Sequence, residues 1–150
     1  MPGPGLSSGK SRSFVINIDG ASRGNPGPAA AAWVIRDASD GQVVIEEGLR
    51  LGEETNNRAE YLALLFALED ALLLSAEEVT VRSDSELLVR QMEGTYRVKN
   101  PGLKGFYERA RRLAASFRKF RIEHVPRAEN LDADRAANSA LDAGKTRPPK

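Results

Sequence analysis

Four acidic residues, Asp19, Glu60, Asp84 and Asp134, stand where a charge is costly to bury unless a cation or hydrogen-bond donors meet it. Asp19 ends a β-rich apolar run that starts at Phe14, and Asp84 directly follows the run VTVRS. Glu60 lies in helical phase with Ala63, Leu64 and Ala67, and Asp134 with Leu131, Ala137, Asn138 and Leu141, so both face inward. Taken singly, each has an ordinary explanation. Asp19 can decorate a hairpin turn, Asp84 can cap the helix after it, Glu60 can answer a helix dipole, and Asp134 can be a plain amphipathic-helix acid. Asp132 competes with Asp134, but shares its face with Arg135, Ala136 and Ser139. Four inward acids at one sheet edge would repel and raise one another's pKa, a conflict that divalent cations resolve. With no cysteine and a single histidine, His124, the available ligands are oxygens. That indicates Mg²⁺, with Mn²⁺ as the alternative, and argues against zinc. Two such ions roughly 3.5–4 Å apart support in-line displacement at phosphorus, one orienting hydroxide and the other meeting the leaving oxygen.

The elements that must hold these acids read β-β-β-α-β-α-α-β-α. Strands are expected over residues 14–19, 29–37 and 42–51, joined by short turns at 20–28 and 38–41, and so antiparallel. The first turn, with Gly20, Gly24 and Asn25-Pro26-Gly27-Pro28, offers a backbone-rich loop beside Asp19 for a phosphate. The alanines at 29–32 leave room for a close neighbour. The hydrophobic period then changes to 3.6. Thr55-Asn56 is placed to cap a helix that starts near Asn57, with Ala63, Leu64, Ala67, Leu68, Ala71 and Leu72 as its buried stripe. A strand at 78–83, a helix at 85–94, a longer helix with apolar residues from Leu103 to Phe117, a strand at 120–125 and a helix at 131–141 complete the order. The later strands follow helices and run parallel to the first through right-handed crossovers. The result is a mixed α/β sheet with helices on its faces, which binds ligands at the carboxyl ends of its parallel strands.

At 150 residues the chain is long enough for one domain with a real core. Residues 1–13, rich in Pro, Gly and Ser, read as a disordered arm, residues 14–143 as the domain, and residues 144–150 as a flexible tail. No apolar run approaches the roughly 20 residues of a membrane span, and no signal core is present, so a reducing cytoplasm is expected. The net charge of +1 is unevenly spread: +3 over residues 1–36, −10 over 37–93, +8 over 97–127 and zero after that. A basic block in an otherwise acidic domain is the footprint of a polyanion partner, or else a solvated helix face.

The segments DGASRGNPG (residues 19–27), TNNRAEY (55–61), SDSELLV (83–89) and AENLDADRAAN (128–138) resemble, in order, the four signature segments of type 1 ribonuclease H. The resemblance covers about residues 14–141. The first two segments together are highly specific and the last is weaker. The resemblance implies a ribonuclease H-like α/β fold, a five-stranded mixed sheet with three antiparallel and then two parallel strands, flanked by helices. It implies endonucleolytic hydrolysis of the RNA strand of an RNA–DNA hybrid, leaving 5′-phosphate products, with two Mg²⁺ (or Mn²⁺) ions per active site. Carried over by position, Asp19, Glu60, Asp84 and Asp134 are the metal ligands. Asn25, Asn56 and Asn57 contact substrate, and Thr55 helps to hold a DNA-strand phosphate. The expected working form is a cytoplasmic monomer with no obligatory protein partner and no membrane attachment.

Residue chemistry supports these roles. Asparagine amides donate and accept without charge, which suits minor-groove edges and 2′-hydroxyls. The 2′-OH separates RNA from DNA, which directs attention to Gly20 to Ser22 and to Asn57; helix capping is the other use for Asn56 and Asn57. The chain departs from the best-known bacterial pattern in three places. The stretch after Gln91 is too short for a basic helical protrusion, leaving Lys99, Lys104, Arg109, Arg111 and Arg112 to substitute in part. The loop after the last strand is short, so His124 reads as a structural strand residue and Arg127 as the candidate for that loop's role. Glu86 stands where glutamine is common. The alternative function is a nucleic-acid-binding module of the same fold with weak or altered nuclease activity, for example on double-stranded RNA.

Overall fold

Alternation along the first strand decides how the sheet is covered. In β1 (Ser13–Ser22), Phe14, Ile16 and Ile18 are buried on one face, while Asn17 and Asp19 turn to the other. The computed structural model describes residues 12–146. After β1 come β2 (Gly27–Asp37), β3 (Val43–Glu54), α1 (Asn56–Leu73), β4 (Glu78–Ser83), α2 (Glu86–Glu93), α3 (Pro101–Ala114) and β5 (Lys119–His124). A 3₁₀ turn (Arg127–Glu129) then leads into α4 (Leu131–Thr146). The strand order is β3-β2-β1-β4-β5. β2 and β3 pair antiparallel on one side of β1, and β4 and β5 pair parallel on the other. This is the expected ribonuclease H-like α/β architecture, three antiparallel strands and then two parallel ones.

The main core lies between the sheet and α1 to α3. Phe14, Ile16, Ile18, Trp33, Ile35, Val79 and Val81 meet Tyr61, Leu64, Leu68, Leu88, Met92, Leu103 and Ala110 there. A thinner seam closes the opposite face, where Ala30 and Ala32 of β2 pack on Ala137 and Leu141 of α4. Small residues make this possible: a Cβ on Gly48 of β3 would meet the Ala136 carbonyl of α4 at 2.5 Å. Among the described residues, no helix is long and apolar enough to cross a membrane.

Several boundaries differ from the sequence reading. Ser13 is already in register with Glu78 and so belongs to the sheet; residues 1–11 of the expected arm lie outside the described residues. β1 continues past Asp19 to Ser22 because β2 goes on pairing with it, Ser22 opposite Ala29. Helix α4 runs through Thr146, beyond the expected end at Leu141 and into the stretch read as tail; residues 147–150 lie outside the described residues. Leu72, expected in the stripe of α1, is exposed, while Ala59, Tyr61 and Leu65 are buried. Periodicity tells which side of a helix is apolar, but not where its neighbours stop.

Candidate active site

The parallel register delivers the first two acids. The last β1–β4 pair is Ile18 with Ser83, so Asp19 and Asp84, next in each chain, stand side by side where β4 stops. Asp84 does not cap α2. Ser85 does, its hydroxyl accepting from Leu88 N at 3.3 Å, which leaves the Asp84 carboxylate free to face the cleft. Glu60 arrives from α1, 4% exposed, and its Oε1 accepts from Gly20 N at 3.1 Å. Ligand oxygens of Asp19, Glu60 and Asp84 all lie within 4.8 Å of one another. Asp134, in the first turn of α4, reaches the same cavity, close enough for its charge to act on Asp19. Its helix is fastened by Asn130, 1% exposed, which donates to Ile18 O at 2.8 Å and accepts from Asn17 Nδ2 at 2.9 Å. The start of α4 is thereby tied to the strand that carries Asp19.

This arrangement on this fold has known relatives. A family profile described as reverse transcriptase-like matches residues 17–140. The crystal structure of RNase H1 from the halophilic archaeon Halobacterium salinarum NRC-1 superposes with a TM-score of 0.84 at 45% identity, covering 87% of this chain and 98% of that one. The chain belongs to the type 1 ribonuclease H family. LC11-RNase H1, solved in complex with an RNA/DNA hybrid, superposes with a TM-score of 0.82 at 41% identity, covering 89% of this chain and 99% of that one. The bifunctional protein Rv2228c of Mycobacterium tuberculosis is 48% identical over 129 residues, 86% of this chain and 35% of that protein, so the chain spans about a third of that relative's length.

In this chain the cavity at the carboxyl edge measures about 480 Å³. Of the residues singled out from the sequence, Asp19, Gly20, Asn56, Glu60, Asp84, Arg127 and Asp134 line it. Asn25 stands behind this lining, its Oδ1 accepting from Asn56 N at 3.0 Å. Thr55 is outside it, its hydroxyl engaged as the N-cap of α1 through Arg58 N at 3.2 Å. That settles the capping question for Asn56 and Asn57, both exposed and neither the cap. Lys99 is exposed on the loop before α3, away from the cavity. His124 ends β5, in the strand as expected, and there it is exposed and lines the cavity. The competitor Asp132 turns away and pairs with Arg36 and with Arg135. Sequence reasoning gave no site role to Arg23 or Asn138, which also line the cavity; the spacing of four between Asp134 and Asn138 was the available signal.

The electrostatics are those of a cation site. Burial, then Asp84 and Asp134, push the Asp19 carboxyl from an ordinary 3.8 up to about 7, against a smaller opposite pull from Arg127. Burial, then Asp19 and Asp84, raise Glu60 well above its usual range despite the Gly20 N–H. A cluster of carboxylate oxygens without nitrogen or sulfur suits a hard divalent ion, and the residues fit one. A stability test follows. Folded Asp19 keeps its proton to about pH 7 while the unfolded residue releases it near 3.8, so the native state binds the proton more tightly. Its contribution is whole below about pH 4 and is lost as pH rises through about 7. Thermal melts of the metal-free protein should therefore decline more steeply between pH 4 and 7 in wild type than in Asp19→Asn, and millimolar Mg²⁺ should raise the wild-type Tm at pH 8. Parallel pH profiles for the two proteins would overturn this.

Proposed function

We propose that this chain is an endonuclease that hydrolyses the RNA strand of RNA–DNA hybrids, using two divalent ions held by Asp19, Glu60, Asp84 and Asp134. The observation that carries the reading is the convergence of four acids, from β1, α1, the end of β4 and α4, on one cavity at the sheet edge, where burial and the neighbouring charges push the Asp19 and Glu60 carboxyls up. Bound there, Mg²⁺ or Mn²⁺ would supply the nucleophilic hydroxide and the charge that stabilises the leaving 3′-oxygen. The chain's own residues set the stage. Glu60 is locked by Gly20 N–H, while Asp84 has no cap to serve and is open to the cleft. Arg127, exposed and 3.5 Å from Asp134, supplies a positive charge at the rim, where a cleaved phosphate would leave. Ser22 and Asn56 line the same cavity as the acids, and we assign them the contacts to the 2′-hydroxyls that distinguish RNA.

The basic block is only partly free to bind phosphate. Arg109 pairs with Glu69, Arg118 with Glu78, and Arg121 with Glu123. Lys99, Lys104, Arg112 and Lys119 are exposed without an ion pair among the described residues, and we assign them the DNA-strand contacts. The test compares a hybrid, duplex RNA and duplex DNA, each end-labelled, across a Mg²⁺ titration. The expected result is internal cleavage of the RNA strand in the hybrid only, absent in EDTA, and at least about 100-fold faster than cleavage of duplex RNA. Equal cleavage of duplex RNA, or binding without cleavage, would replace this reading by the altered-nuclease or binding-module alternative.

A further inference from the structure

Asp134 differs from the other three acids in how it is held. It sits at the open end of the site with its side chain 22% exposed, and a carboxylate on a helix surface has rotamers that point away from Asp19. Asn138, one turn further along α4, donates from Nδ2 to Asp134 O at 3.0 Å and to Asp134 Oδ1 at 3.4 Å. That leaves Asn138 Oδ1 as an acceptor, and it is met by Arg23 Nη2 at 3.3 Å. The same nitrogen of Arg23 lies 2.7 Å from Asp142 Oδ1, another turn along α4. The turn that carries Arg23 is itself braced. Arg23 N donates to Pro28 O at 2.8 Å, and Ser22 Oγ donates to Glu54 O at 3.0 Å. The basic residue that pairs with Asp134 directly, Arg127, is a weak restraint, 74% exposed and 3.5 Å away.

We infer that Arg23 and Asn138 are positioning residues, a two-link strut from the β1–β2 turn that aims the Asp134 carboxylate at Asp19 and so completes the metal site from the α4 side. The inference rests on the metal-dependent reading above. It joins two parts of the molecule with separate tasks: the turn beside the substrate's ribose, and the acid on the last helix. Orienting a ligand through a hydrogen-bonded neighbour is worth about 10–100-fold in metal affinity elsewhere. A rival use of Arg23, direct contact with a substrate phosphate, predicts a different kinetic signature.

The experiment measures Mn²⁺ binding to the substrate-free protein by calorimetry, and hybrid cleavage at saturating metal, for wild type, Arg23→Ala, Arg23→Lys, Asn138→Ala and the double alanine variant. Asp134→Asn serves as the reference for a lost ligand. Both single alanine variants should bind Mn²⁺ about 10-fold more weakly. The double should bind no more weakly than the poorer single, because both residues lie on one strut. Arg23→Lys should recover part of the affinity, and KM for hybrid should move less than about twofold in all of them. Melting curves establish that each variant is folded at the assay temperature. Mn²⁺ affinity unchanged in both single variants overturns the inference, as does a raised hybrid KM in Arg23→Ala with normal Mn²⁺ binding. Wild type that binds Mn²⁺ yet cleaves nothing overturns the nuclease reading alone, while the calorimetric comparison still decides the strut. Wild type without measurable Mn²⁺ binding overturns both.

Discussion

Asp84→Asn is expected to slow metal-dependent cleavage of a hybrid by about a thousandfold or more, while the Kd for uncleaved hybrid changes less than about threefold. The asymmetry follows from where Asp84 sits. It is half-buried beside Asp19 and Glu60, its neighbour Ser85 does the capping, and among the described residues no hydrogen bond to the fold depends on its side chain. Asparagine keeps its volume, so the cleft keeps its shape. What is lost is a negative charge among three ligand oxygens within 4.8 Å of one another. Ion-borne stabilisation of a developing phosphorane charge is worth several kcal/mol, and each 1.36 kcal/mol is a factor of ten in rate. The same charge raises the pKa of both Asp19 and Glu60, so its removal should make the metal-free protein more stable. One substitution should thus raise the Tm in EDTA and abolish single-turnover cleavage in Mg²⁺. Cleavage near the wild-type rate would remove Asp84 from the metal site. A matched loss of binding and cleavage would make it a substrate contact instead.

How far the sequence could foresee this site depends on which interactions are local. Asp19 and Asp84 were legible because two β-runs end at acids and the crossover rule makes the runs parallel; the register then puts the acids side by side. Glu60 and Asp134 were legible from helical phase alone. The choice between Asp84 and Ser85 as cap was not, since adjacent residues of good capping type differ only in backbone geometry that the sheet imposes. Gly20 misled for a related reason. It reads as punctuation that ends a strand, yet β1 continues through it along β2 to Ser22. The basic block lost charge to partners far away in sequence, Arg109 to Glu69 and Arg118 to Glu78, pairings that no local pattern announces. Thr55 was placed correctly as a cap, and the cap uses the hydroxyl that resemblance assigned to a phosphate. The Arg23–Asn138 link joins residues 115 apart, and only the packing of α4 on the sheet brings them together.

Gly20→Ala should cost at least about 2 kcal/mol of stability and about 100-fold in cleavage rate, although it adds a single methyl group. Where the native backbone already suits alanine, Gly→Ala stabilises by about 0.4–1 kcal/mol through the unfolded chain. Here the new Cβ would press on the backbone of α1, on Ala59 C and Glu60 N, and lie 2.6 Å from Ala59 O, where real Cβ atoms essentially never come. A flexible side chain could swing aside, but a helix backbone can only retreat as a unit. Its retreat would stretch the 3.1 Å bond from Gly20 N to Glu60 and carry that carboxylate away from Asp19 and Asp84. A displacement of about 1 Å at a reacting centre costs on the order of 100-fold. The glycine is therefore required for the close approach of strand and helix. Gly105→Ala in α3 is the matched control: nothing lies within 4 Å of its added methyl, and a helix interior favours alanine by roughly 0.8–1.0 kcal/mol. Urea unfolding at constant m should place the two midpoints on opposite sides of wild type. A Gly20→Ala protein as stable and as active as wild type would mean that the strand and α1 do not meet as closely as the fold requires.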